Sequence, residues 1–185
     1  QSANADVNAQ VRACAPPGGA FCIKNPSLEG TASVGLGAPE SVPPGWKVCE
    51  NTPDTNPSLS ELAPVDGSTY LGISTFTTAL EVAGGEFCSP LSAGQAAAFK
   101  VDLAVTTVYA LGPARLHIWG GLTPCSKDEL LWSSQPVPIG QPWMTQCGVL
   151  KAARDYPYMQ LVPEAVGAAT TYLAIYYCRA VDSCD

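Results

Sequence analysis

Histidine is nearly absent from this chain: His117 is the only one in 185 residues. A Ser-His-Asp arrangement would have to use it, yet there is no Gly-x-Ser-x-Gly turn and no serine is marked out as its partner. Eight cysteines occur without a single Cys-x-x-Cys pair, so zinc ribbons, thioredoxin-like redox motifs and c-type haem attachment all lack their spacing. Charge is also scarce, at 14 % of residues, with nine Lys and Arg scattered singly against 16 Asp and Glu for a net charge of -7. No basic stripe exists to neutralise a phosphate backbone, which excludes nucleic acid and makes anionic membranes poor partners. No apolar run approaches the roughly 20 residues of a membrane-spanning helix, so no membrane insertion is expected. No leader precedes Gln1, which reads as the mature form of a secreted chain. Acceptor sites for N-glycosylation are missing too, since Asn25 is followed by Pro26, and this fits a bacterial source.

What the chain does have is cysteine, glycine and proline. Cys14, Cys22, Cys49, Cys88, Cys125, Cys147, Cys178 and Cys184 run from end to end, an even number in an acidic chain, which points to disulfides in an oxidising, extracellular compartment. Sequence does not choose among the pairings. Cys14 with Cys22 and Cys178 with Cys184 would close short loops that pin the termini, and Cys49 with Cys88 and Cys125 with Cys147 are the preferred pairs for the centre. Seventeen Gly and 17 Pro beside so little charge favour short strands and many turns over long helices. The length suits one domain with one core that buries about two thirds of the unfolded surface.

Residues 1–21 are small and polar and end in Ala-Pro-Pro-Gly-Gly, the composition of a tail; residues 22–185 read as a single domain. Long loops are expected at 34–45 and 51–67, flanking a short strand at 46–49. Phe99, Val101, Leu103 and Val105 alternate with Lys100, Asp102 and Ala104, a strand with one buried and one wet face. Further strands are expected at 69–76, 116–119, 143–150, 158–162 and 171–179. Ser126 to Glu129 has the spacing of a capping box and predicts one short helix running into Leu130 and Leu131. The expected fold is all-β: a two-sheet antiparallel jelly-roll β-sandwich with one short helix, stapled by disulfides.

Asn25-Pro26-Ser27-Leu28-Glu29-Gly30 followed by Pro44-Gly45-Trp46 resembles the opening of bacterial secreted carbohydrate-binding modules of the galactose-binding-like jelly-roll type, which begin with an Asn-x-x-Phe-Glu-x-Gly strand and a Gly-Trp. Similar segments follow at Leu91 to Gly94, Leu116 to Gly121, and Glu129 to Ser134. The resemblance covers roughly residues 22 to 180 and implies fold more strongly than ligand. It also implies a structural calcium, held by the Glu of the first strand and an acidic residue of the last. Glu29 matches the first position. Tyr176-Tyr177-Cys178-Arg179 stands where an Asp pair is usual, leaving Asp182 as the nearest acid, and Leu28 replaces an aromatic. No other cofactor is required.

Sugar binding calls for an exposed aromatic plane with carboxylates and amides beside it. Trp132 and Trp143 sit at an element's end and entry and are expected in the core, as is Trp46. Trp119 shares a strand face with His117, opposite Leu116 and Ile118, and alternation alone leaves open which face is inward. Trp46 with Glu50, Asn51, Asp54 and Asn56 forms the second candidate, although Thr52-Pro53-Asp54-Thr55 is also a good turn. A glycosidase pair drawn from Glu50, Asp54, Glu81, Glu86 and Asp102 is conceivable, but no Glu-x-Asp-x-x-Glu motif is present, and a cysteine nucleophile would break the even count. No catalysis is expected. The chain reads as a secreted carbohydrate-binding or adhesive module whose partner is a glycan or cell-surface protein. The alternative is a structural subunit of an extracellular assembly that self-associates by adding residues 1–13 to a neighbour's sheet edge.

Overall fold

The computed structural model describes residues 22–33, 42–57, 60 and 62–184, with the backbone only for 177–179. Among the described residues there are eleven strands: β1 (Lys47–Glu50), β2 (Asp54–Asn56), β3 (Tyr70–Phe76), β4 (Ala79–Leu80), β5 (Val82–Leu91), β6 (Ala96–Val105), β7 (Ala114–Gly121), β8 (Glu129–Ser133), β9 (Met144–Lys151), β10 (Tyr156–Ala165) and β11 (Thr171–Ala180). They make two antiparallel sheets, a five-stranded one in the order β1-β5-β10-β7-β8 and a six-stranded one that runs β2-β3-β11-β6-β9 with β4 beside β3. From β3 onward the long strands switch repeatedly between the sheets, so most pairings join residues distant in sequence.

Strand alternation explains the core. Leu116, Ile118, Leu161 and Ala83 from the five-stranded sheet meet Leu71, Ile73, Leu103, Leu173 and Ile175 from the six-stranded one in a single buried cluster. The strand from Phe99 buries the expected residues, but its other face is not wet. Ala104 and Asp102 are buried there, and Ala104 belongs to a second cluster with Tyr70, Ala174 and Tyr176, packed by Leu62 and Trp143. Leu62 and Ala63 lie over this side, fastened where Trp143 Nε1 donates to Ala63 O at 2.8 Å.

The short helix does not form; among the described residues there is no helix. Ser126 Oγ donates to Asp128 Oδ2 at 2.6 Å instead of capping, Glu129 accepts from the Ala153 amide, and Leu130 to Ser133 pair with β7. A free strand edge beside this segment outweighs its local capping signal. The expected loop at 51–67 contains β2, paired with β3. β5, which the sequence reading passed over, carries Gly84 and Gly85 because other atoms occupy the space a Cβ would need. At Gly84 these are Cys49 Sγ and Pro124 O, and at Gly85 the ring of Trp46.

None of the four preferred cysteine pairs is the observed one. Cys22 bonds Cys88, Cys49 bonds Cys125, and Cys147 bonds Cys184, across sequence separations of 66, 76 and 37. Backbone pairing explains the first: Cys88 N donates to Cys22 O and Ile23 bridges Phe87, so residues 22–24 run along β5. Cys14 and the side chain of Cys178 lie outside the described residues, as does the expected tail at 1–21. Non-reducing peptide mapping is expected to return these three crosslinks. A peptide joining Cys178 to Cys184 would overturn the arrangement.

Candidate functional site

The candidate residues from the sequence separate onto different faces. On β7, Leu116 and Ile118 point into the core and are fully buried, which settles the orientation left open by alternation. Arg115, His117 and Trp119 therefore lie together on the outer face of the five-stranded sheet, each half-buried. The register with β10 sets Glu164 opposite Arg115, Val162 opposite His117 and Gln160 opposite Trp119. On the other side β8 places Ser133 beside His117 and Leu130 beside Trp119.

His117 is the hub. Its Nδ1 lies 2.7 Å from Ser133 Oγ and its Nε2 3.1 Å from Glu164 Oε2, while Arg115 Nη1 donates to the same Glu164 oxygen at 3.2 Å. One carboxylate is thus shared by a guanidinium and an imidazole, leaving a nearly neutral, ordered set of donors and acceptors beside the indole of Trp119. Glu164 remains 46 % exposed. Next to them Gln160 is completely buried; its Nε2 donates to Pro124 O at 3.3 Å, and its Oε1 has no partner among the described residues. Connection 122–128 covers this end of the face. Asp128 Oδ2 accepts from Ser126 Oγ and from Leu122 N, and those bonds, the hydroxyl's first, hold its carboxyl below the usual range.

Arg115, Ser133, Gln160 and Glu164 were not singled out from the sequence. Arg115 has the same parity as His117 on β7, so alternation could have found it. The β10 and β8 residues depend on register, which no local pattern reveals.

The other candidates go elsewhere. Trp46 is in the core, its Nε1 donating to Asn25 O at 3.0 Å, and is not a stacking surface. Glu50 pairs with Lys127 at the β1 edge. Asn51, in the left-handed region at φ 50°, donates to Leu80 O and fastens a turn. Asp54 and Asn56 belong to β2 in the other sheet and are buried, where Tyr172 OH donates to Asp54 Oδ2 at 2.9 Å and accepts from Asn56 Nδ2 at 2.6 Å. Glu81, also buried, accepts from Ser74 N and Ser74 Oγ at 2.7 Å and from Thr52 Oγ1 at 3.1 Å. Burial pushes the Glu81 carboxyl up against the pull of these bonds, and pushes the Tyr172 phenol well up, with the Asp54 charge adding to it. This network knits strands together beneath the surface and offers no open carboxylate pair.

For the metal expectation, both Glu29 oxygens are occupied by Ser68 N and Ser68 Oγ, with Thr69 Oγ1 at 3.2 Å. Asp182 is exposed after β11. Among the described residues no three His, Cys, Asp or Glu side chains are grouped to hold a metal ion.

Fold and face together define a two-sheet, disulfide-linked all-β domain with an aromatic and polar patch on one sheet. No family model matches the chain, and no curated protein matches it. Adhesin domains of known structure share the fold. The K1 cleaved adhesin domain of Lys-gingipain from Porphyromonas gingivalis W83 is similar with a TM-score of 0.50 at 11 % identity, covering 83 % of this chain and 98 % of that one. The K2 cleaved adhesin domain of Lys-gingipain gives 0.50 at 10 % identity, covering 82 % and 98 %. A family 29 carbohydrate-binding module variant complexed with mannohexaose gives 0.49 at 6 % identity, covering 86 % and 90 %.

Proposed function

We propose that this chain is a secreted, non-catalytic binding module of jelly-roll type that holds a glycan on the outer face of its five-stranded sheet. The strand order supports the jelly roll: β3-β11-β6-β9 faces β5-β10-β7-β8, with the last strand in the middle of its sheet. Three disulfides fit an oxidising compartment. The observation that carries the ligand is Trp119, half-buried in a sheet face and flanked by the His117, Glu164, Arg115 and Ser133 network. An indole plane takes the apolar face of a sugar ring, and a fixed array of donors and acceptors meets its hydroxyls. Of these four groups only Glu164 is a carboxylate, so the facing pair of carboxyl groups used in glycoside hydrolysis is not assembled around Trp119.

A glycan array followed by calorimetry tests this. Trp119→Ala is expected to weaken the sugar found by at least about tenfold, the order of one lost ring stack, with the thermal midpoint unchanged. An array without a hit, or a Trp119→Ala variant that binds as wild type does, rejects the site.

A further inference from the structure

The two ends of the domain differ in chemistry. At one end the chain turns through 51–53, 77–78, 106–113, 134–143 and 166–170, and these five connections contain no Asp, Glu, Lys or Arg; Glu81, between β4 and β5 at the same end, is buried. At the opposite end lie Asp128, Arg154, Asp155, Asp66 and Asp182. The uncharged end bears the two most exposed large apolar side chains of the described residues, Leu111 at 75 % and Tyr109 at 59 %, together with Phe76 at 39 %; Val65 at 50 % and Leu122 at 45 % are at the other end.

These side chains are held outward by a fixed backbone. Leu111 N donates to Thr170 O at 3.1 Å, Thr171 Oγ1 to Gly112 O at 3.2 Å, and Val166 N to Pro113 O at 2.9 Å, which ties 106–113 to 166–170. Thr106 Oγ1 donates to Val108 O, and Tyr109 follows in the left-handed region at φ 57°, an uncommon conformation for a bulky residue. The loop is therefore built to present Tyr109 and Leu111 instead of folding them in.

We propose that this end inserts shallowly into the interface of an uncharged, zwitterionic lipid bilayer. A phenol beside aliphatic and phenyl side chains suits that region, where an apolar body sits among acyl chains and a hydroxyl reaches the headgroups. The charge pattern selects the lipid. With no Lys or Arg in these connections, Arg115 at their base paired with Glu164, and a net charge of -7, an anionic surface repels the domain, whereas a neutral one accepts it. This use is independent of the sugar-binding face.

Co-sedimentation of the full chain with phosphatidylcholine vesicles tests it. Wild type is expected to sediment, and replacing part of the lipid with phosphatidylserine to reduce the bound fraction. Leu111→Asp is expected to reduce partitioning at least about tenfold, since it swaps buried apolar area for a charge. Tyr109→Asn, which keeps a left-handed backbone residue while removing the ring, is expected to reduce it severalfold. Leu122→Asp, an exposed leucine at the opposite end, is expected to sediment as wild type does. Failure of wild type to sediment overturns the proposal, as does binding that needs phosphatidylserine or that Leu111→Asp leaves intact. A concentration-dependent dimer abolished by Leu111→Asp, without vesicle binding, overturns it in favour of self-association.

Discussion

Phe99→Ala is expected to destabilise the domain by about 3–5 kcal/mol, the cost of emptying a large buried aromatic site. Phe99 is fully buried on β6, and its ring meets Trp132 edge to face at a centroid distance of 4.9 Å. The pair closes the gap between β8, the edge of one sheet, and β9, the edge of the other. They fit because Gly148 on β9 leaves open the space into which Trp132 Nε1 and the Phe99 ring both project. Removing the ring loses its transfer free energy and leaves a cavity walled by two sheets that cannot collapse independently. Urea denaturation checks this through a lower midpoint at unchanged slope. For a chain of this size the thermal midpoint falls by on the order of 10 °C. The complementary change, Gly148→Ala, is expected to cost about 1–3 kcal/mol by overpacking the same place. A Phe99→Ala loss below about 1 kcal/mol would show that the edge between the sheets is not part of the cooperative core.

Glu81→Ala is expected to cost about 2–4 kcal/mol, because it strands two buried donors, Ser74 N–H and Ser74 O–H, and the part-buried Thr52 O–H, all of which end on this carboxylate. Glu81→Gln separates the charge from the shape. Burial raises the Glu81 pKa above its ordinary 4.5, with the nearby Asp54 charge adding to the rise. A raised folded-state value means the folded chain holds the proton more tightly than the unfolded chain does. The stability from that proton is fully present below the unfolded value and is lost as pH rises through the folded one. The glutamine variant has no such loss, so it is expected to gain on wild type as pH is raised from about 4 to about 7. Thermal midpoints across that range measure the gap. A gap that stays constant, or that widens in favour of wild type with pH, would contradict a carboxyl buried against its charge.

Much of the fold was legible because a strand announces itself locally. Phe99 to Val105 and Leu116 to Ile118 alternate every second residue, and those residues are the ones that fill the core. β5 was not legible, because its two glycines make room for Trp46 and the disulfide of Cys49, neighbours that no local pattern reveals. Ser126 to Glu129 failed in the opposite way: a sound capping signal lost to the hydrogen bonds that the edge of β7 offers. The candidate site was half legible. His117 and Trp119 follow from parity on one strand, whereas Glu164 and Ser133 come from strands 47 and 16 residues away from His117. Asp54 and Asn56 looked like loop acids beside a tryptophan, but β2 carries them into the other sheet and seals them under Tyr172.

By itself the sequence determined the class of the molecule: an all-β chain of short alternating strands, with cysteines that join in disulfides. These are properties of composition and nearest-neighbour periodicity, which survive without knowledge of what packs where. Only the tertiary structure decided which cysteines meet, which face of β7 is outward, and that five charge-free connections gather at one end of the domain. Those outcomes depend on register between strands distant in the chain, and register is chosen by the closure of the whole sandwich, not by any segment within it.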